Sequence, residues 1–232
     1  MMTGWFELAG VFALFLATHY LPARPALRHA CVARLSERVY LVLYSLISLV
    51  LLGWLIVAAG RAPYVQLWQY APWQSYVPNI MMPIAIGLAA LAIAAPNPFS
   101  FGGSRAQDFD PARPGLAGIT RHPLLWAIAL WAGAHLVPNG NLAHVLLFGF
   151  FLAMAFAGMA ILDRRARRRL GEARWAELAR HTALIPFAAG LRGDLRLRGF
   201  DALPTRLAGF AAAYFVLLWS HGPVLGVSPF PV

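Results

Sequence analysis

Apolar positions in this chain gather into six long runs, with neither the one-sided stripe of a soluble helix nor the alternation of a strand. The runs are Trp5 to Leu21, Val39 to Ala59, Ile80 to Ala95, His122 to Val137, Leu142 to Leu162 and Leu207 to His221. Runs that are apolar all round, and near the roughly 20 residues that cross a bilayer, predict transmembrane helices. The third, fourth and sixth are short, and are expected to tilt, kink or form partial hairpins. Pro83 stands one turn into the third run, where an early helical proline is tolerated. Pro138-Asn139-Gly140 predicts a tight turn, with Gly140 able to take positive φ, so the fourth and fifth runs should form an antiparallel hairpin. Gly102-Gly103 with Asp108, Asp110, Pro111 and Pro114 predicts an irregular loop ahead of the fourth run. Residues 163–206 read as an amphipathic cytoplasmic segment, with Trp175, Leu178, Leu184, Ile185 and Phe187 placed to lie on the membrane surface. The expectation is all-α: a polytopic integral membrane protein of about six transmembrane helices, with residues 1–232 forming a single transmembrane domain.

Composition supports that class. The 232 residues are 60% hydrophobic and 12% charged, whereas a soluble domain is nearer half apolar and about a quarter charged. Mean hydropathy is +0.63. The net charge of +10 comes entirely from arginine among the basic residues. Arg24, Arg28, Arg34 and Arg38 follow the first run, Arg105, Arg113 and Arg121 follow the third, and Arg164-Arg165-Ala166-Arg167-Arg168-Arg169 follows the fifth. The second connection carries only Arg61, and the hairpin turn carries none. Such alternation is a topology signal, which puts the odd connections in the cytoplasm and both termini in the periplasm. Clustered interfacial arginine suits anionic lipid better than a nucleic-acid face, so no nucleic-acid partner is expected. Tyr64, Trp68, Tyr70, Trp73 and Tyr76 in the second connection fit an aromatic belt at headgroup level. One cysteine, Cys31, rules out an intrachain disulfide and a cysteine-rich metal cluster. Met1 to Phe6 has no positive n-region, so a cleaved signal peptide is not expected.

Histidine is the chemistry that stands out against this apolar background. An imidazole in hydrocarbon is costly without a partner and is also a common metal ligand, haem iron included. His122, before Pro123, reads as the N-cap of the fourth helix with Arg121 at the interface, where lipid phosphate is the plain alternative partner. His135 lies thirteen residues further on, about 20 Å along a helix, beside Ala132, Gly133 and Ala134. The small residues leave room for a buried functional role, against a structural imidazole bonded across the bundle. His19 divides evenly between a ligand and an interfacial histidine. His144 is expected to cap or face the outer interface, His29 and His181 to be solvated, and His221 to mark the end of the last helix. Acidic residues are few, which disfavours a paired-carboxylate site in the bilayer. No G-x-S-x-G, Walker loop or His-Glu-x-x-His occurs. Two or three histidines in an apolar setting suit a haem better than a zinc ion, which wants three or four close ligands.

These residues carry a family resemblance. His19 with Pro25-Ala26-Leu27-Arg28, Ser36-Glu37-Arg38, Thr120-Arg121-His122-Pro123, Leu130-Trp131, Ala134-His135-Leu136, Asn139-Gly140, Asp163-Arg164-Arg165, and Thr182 with Ile185-Pro186-Phe187 resemble the NnrU membrane proteins. These are bacterial relatives of 15-cis-zeta-carotene isomerase. The chain departs from the family at Asn141, where an aspartate is usual after Asn-Gly. The resemblance implies haem b, held by His19 and His135, with His122 as a further candidate ligand and Arg121, Trp131 and Asn139 beside the cofactor. It implies a multi-pass protein of the bacterial inner membrane, acting as a redox-gated cis-trans isomerase of an apolar polyene or lipid-like substrate, or as a non-catalytic haem protein supporting denitrification and nitric oxide metabolism. Arg-His-Pro before a helical hairpin and a basic tail is also similar to the isoprenylcysteine carboxyl methyltransferases. That likeness implies an S-adenosylmethionine-dependent alternative, although their acidic pair after the hairpin is reduced here to Asp163.

Overall fold

The computed structural model describes residues 3–20, 24–101, 106–200 and 202–230. Leu21 at the end of the first apolar run, Gly102-Gly103 and Arg105 lie outside the described residues. The helices are α1 (Thr3–Tyr20), α2 (Pro25–Leu35), α3 (Glu37–Arg61), α4 (Tyr76–Ala92), α5 (Leu116–Ile119), α6 (Pro123–Leu136), α7 (Leu142–Leu170), α8 (Glu172–Ala179) and α9 (Leu203–Leu225). Among the described residues no strand forms, and Gln66 with Asn141 makes an isolated bridge. Among the described residues, four helical stretches are long and apolar enough to cross a membrane: Glu37–Arg61, Pro72–Ala92, Leu142–Leu170 and Leu203–Leu225. The fourth run is a shorter apolar helix, Pro123–Leu136. The chain is an all-helical membrane protein.

Three elements depart from the sequence expectation. The arginine-rich connection at 24–38 holds a helix of its own, α2, because Pro25 opens it at N1 and alanine, leucine and arginine propagate it. It closes at Ser36, whose φ of 69° breaks the helix before α3 begins. The third run gains a turn at Pro72–Ser75 ahead of α4, where the Gln74 side chain accepts from the Ala71 amide at 2.9 Å. The fifth run continues as helix through the arginine cluster to Leu170, since arginine is a good helix former and cations are favourable near a helix C-terminus.

Two compact units divide the chain, Met1–Gln69 with Asn139–Leu147, and Tyr70–Pro138 with Phe148–Val232. In the first, α1 packs on α3, burying Leu8, Val11 and Phe15 against Leu51, Leu55, Ala58 and Ala59. Glu7 accepts from Trp54 Nε1 at 3.0 Å. Gly140 is required here for space, not for φ: it is absent from the positive-φ glycines, and a Cβ there would lie 2.8 Å from the Trp68 indole. That close approach lets the Leu67 amide donate to the Gly140 carbonyl at 2.7 Å.

In the second unit α4 packs against both α6 and α9. Residues from Phe148 onward in α7 run antiparallel to α6, since Trp131 meets Phe148 and Phe151 while Leu125 packs with Ala155 and Met159. A smaller core of Phe99, Phe109, Ala117, Ala166, Leu178 and Ala179 takes in Trp175. Trp175 and Leu178 therefore face protein where the sequence suggested a membrane surface, while Ile185 and Phe187 stay exposed.

Candidate functional site

α6 carries chemistry at both ends. At its start His122 is the N-cap and Pro123 the first helical residue, as the sequence predicts. Here Arg121 is buried and does not face lipid. Its Nε donates to Asp163 Oδ1 at 3.1 Å and its Nη2 to Asp163 Oδ2 at 2.6 Å, a two-pronged guanidinium–carboxylate pair. His122, 0% exposed, donates from Nε2 to the same Oδ1 at 2.9 Å. Arg121 Nη1 also reaches Thr182 Oγ1 at 3.3 Å, and the Arg121 carbonyl accepts from Asn97 Nδ2 at 3.0 Å. A charge that deep is stable only when paired and hydrogen-bonded, and every one of these partners meets that need.

The following chain is laced to the same place. The Arg121 amide donates to the Ala183 carbonyl at 2.8 Å, and Thr120 Oγ1 and Trp126 Nε1 both donate to the Leu184 carbonyl at 2.9 Å. His122 Nδ1 has no hydrogen-bond partner among the described residues. A cavity of about 110 Å³ opens nearby, lined by Asn97, Asp108, Asp110, Arg113, Pro123 and Gly199 among others.

Near the end of α6, His135 Nδ1 donates to the Trp131 carbonyl at 2.8 Å. Its ring centroid lies 5.9 Å from that of Trp131, 5.3 Å from Phe148 and 6.5 Å from His221 of α9. His122 and His135 do not come together: a thirteen-residue helical rise separates them by about 20 Å. In the first unit, His19 near the end of α1 donates from Nδ1 to the Phe15 carbonyl at 2.8 Å and stacks on the Phe15 ring at 3.9 Å. Asn139 belongs to this unit too, in the turn that leads to Gly140. His144 stands in the first turn of α7. His29 is exposed and His181 partly so.

Sequence reasoning missed two associations. Asp163 is read from sequence as the remnant of an acidic pair, whereas it is the common acceptor for Arg121 and His122. Its signal was its isolation, as the one carboxylate at the end of a long apolar run. His221 was read as a helix-end residue, and nothing local connects it with His135, 86 positions away.

No curated protein and no solved structure matches the chain. The family model described as NnrU protein matches residues 7–229. With nearly the whole length covered, including both ends of α6 and the His221 end of α9, the chain belongs to the NnrU family.

Proposed function

We propose that this chain is a haem b-binding protein of the bacterial inner membrane, and that His135 would help to hold the haem. The observation that carries the reading is the anchoring of that ring. Donation from Nδ1 to the Trp131 carbonyl at 2.8 Å fixes the tautomer with the proton on Nδ1, so that Nε2 is the lone-pair nitrogen. A hydrogen bond from the second ring nitrogen to a carbonyl is the usual support for a metal-ligating histidine. His19, to which the family resemblance also assigns the haem, has the same support from the Phe15 carbonyl. The donor set fits a haem, because the porphyrin supplies four nitrogens itself and would ask the protein only for imidazoles. Trp131 and Phe148 provide flat apolar walls that keep water from the ring. Arg121, by contrast, is spent on Asp163 and holds the start of α6 in place.

When bound, the haem would supply a one-electron redox centre able to gate chemistry on an apolar substrate such as a polyene. We read α1 and α6 as the remaining membrane-embedded helices, with the Arg164–Arg169 cluster in the cytoplasm and both termini in the periplasm. The decisive experiment is an absorption spectrum of detergent-purified chain, as isolated and after dithionite. Sharp reduced α and β bands at near-stoichiometric haem are expected, lost in His135→Ala and kept in His144→Ala. A featureless spectrum after haem supplementation, or an unchanged one in His135→Ala, would refute the reading. Incubating reduced protein with a cis-polyene then separates an isomerase from a haem protein that serves nitric oxide metabolism.

A further inference from the structure

Residues 184–191 form a turn beside the start of α6 that leaves large apolar side chains bare. Ile185 is 62% exposed, Phe187 58% and Leu191 92%. In water such surface opposes folding, because apolar area gains free energy only by leaving it. The backbone that displays these side chains is nevertheless firmly held. The Ala183 carbonyl accepts from the Arg121 amide and the Leu184 carbonyl from Thr120 and Trp126, while the Phe187 amide donates to the Ile119 carbonyl at 3.0 Å. The Gly190 amide then closes on the Phe187 carbonyl at 2.8 Å. Phe187 sits at φ 63°, a region that bulky residues rarely adopt. Strain of this kind persists where the surroundings over-determine it, and it gathers at functional positions.

We propose that this turn docks on an acidic phospholipid leaflet, with Ile185, Phe187 and Leu191 in the acyl boundary and Arg164, Arg165, Arg168 and Arg180 on the lipid phosphates. The inference does not depend on the haem reading. Depth is the first argument. Ala183 is bonded to Arg121, and Arg121 is clamped on Asp163, which follows Leu162 at the end of the apolar run of α7. The turn is thereby held at the level where a membrane-spanning helix passes from hydrocarbon to headgroups. Charge is the second. Arg164, Arg165 and Arg168 share one face of α7, since residues three and four apart are neighbours on a helix surface. These three and Arg180, at the end of α8, are exposed and form no hydrogen bond or ion pair among the described residues. The intervening arginines are engaged: Arg167 pairs with Glu172 and lies over the Trp175 ring, and Arg169 donates to the Pro98 carbonyl. Unspent cations beside bare apolar side chains suit the phosphates and acyl chains of an acidic leaflet. A protein partner that buried the same four arginines would have to supply a carboxylate for each.

The single cysteine makes the test direct, because Cys31→Ser leaves a cysteine-free background. Nitroxide labels at Ile185→Cys and at Leu191→Cys are introduced one at a time into the full chain. The protein is placed in nanodiscs of phosphatidylcholine and phosphatidylglycerol, and collisions of the label with oxygen and with a nickel chelate are read by electron paramagnetic resonance. Both labels are expected to meet oxygen and to be shielded from nickel, at or below phosphate depth. Labels open to nickel would overturn the docking; so would labels shielded from both reagents, the result that contact with a protein or a second copy would give. Spin-labelled lipids then test the charge. Phosphatidylglycerol is expected to be preferred over phosphatidylcholine at the protein surface, and the preference to fall at least about twofold when Arg164→Gln, Arg165→Gln, Arg168→Gln and Arg180→Gln are combined. No preference in wild type, or an unchanged one in the fourfold variant, would sink the assignment of the arginines. Should that variant fail to fold, salt decides on the wild-type chain: a preference undiminished at about 1 M, where the Debye length is about 3 Å, refutes it.

Discussion

Replacing Asp163 with asparagine keeps the side-chain shape and removes the charge on which Arg121 and His122 converge. Asp163 accepts at 2.6, 2.9 and 3.1 Å from three nitrogens. Side-chain exposure is 11% for Arg121 and 13% for Asp163, so little water can take the carboxylate's place. An asparagine oxygen can accept from one or two of the three donors, but its amide hydrogens then point at the rest. Breaking a buried pair by removing one partner costs about 3–5 kcal/mol, because the surviving charge is left uncompensated. With slight residual exposure the lower end applies, about 3 kcal/mol, or more than a hundredfold in the folding equilibrium. The assay is reversible unfolding in mixed dodecylmaltoside–SDS micelles, followed by far-ultraviolet circular dichroism and by tryptophan fluorescence, to which Trp175, under the Arg121 guanidinium at 5.4 Å, contributes as one of eight tryptophans. Arg174→Ala supplies the control: its pair with Glu177 is 56% and 60% exposed, and its loss should cost no more than about 0.5 kcal/mol. Arg121→Gln combined with Asp163→Asn should recover part of the deficit, since the two sites share a contact and couple by roughly 0.5–3 kcal/mol. Asp163→Asn as stable as the Arg174→Ala control would refute the argument that this cluster holds the start of α6.

Two further substitutions probe the packing. Gly140→Ala drives a methyl group into the Trp68 carbonyl and indole, and should destabilise the chain by about 1–3 kcal/mol in the same assay; an unchanged midpoint would show that the turn relaxes freely. Leu125→Ala empties a site between α6 and α7 shared with Ala129, Ala155 and Met159, and should cost about 3 kcal/mol, whereas a value below about 1 kcal/mol would mean that the helices close over the gap.

What the sequence disclosed depended on how local each signal was. The helices α3, α7 and α9 are apolar over most of their length, a pattern visible in any short window, and their cores match the runs at Val39, Leu142 and Leu207. His122-Pro123 also reported itself, because an N-cap followed by proline is a local device. α2 stayed hidden because Arg24, Arg28 and Arg34 read as a topology signal and obscured the helix they also favour. The same ambiguity ended the fifth run at Leu162 when the helix goes on to Leu170. Gly140 was correctly singled out on the wrong ground: a tight turn accounts for a glycine by φ, while the demand of Trp68 for space comes from residues some seventy positions earlier. Asp163 and His221 were opaque for a related reason. Each meets its partner on another helix, and one sequence holds no record of which helices meet.

The length of α6 ties its two ends together. Fourteen residues rise about 21 Å, less than the roughly 30 Å of hydrocarbon in a bilayer. Both ends cannot therefore reach headgroups at once, and the chemistry decides which one does. The Arg121–Asp163 end bears full charges and adjoins the arginines of α7, so it belongs at an interface, where charge is tolerated. With α6 embedded as proposed, His135 falls about 20 Å inward, still some 10 Å short of the opposite face. An imidazole at that depth cannot rely on water, and it is supported instead by the Trp131 carbonyl and by the rings of Trp131 and Phe148. A charged ligand set would be costly there and a neutral one is not. At the end of a helix too short to span, an imidazole is matched by a neutral partner rather than by a charged one.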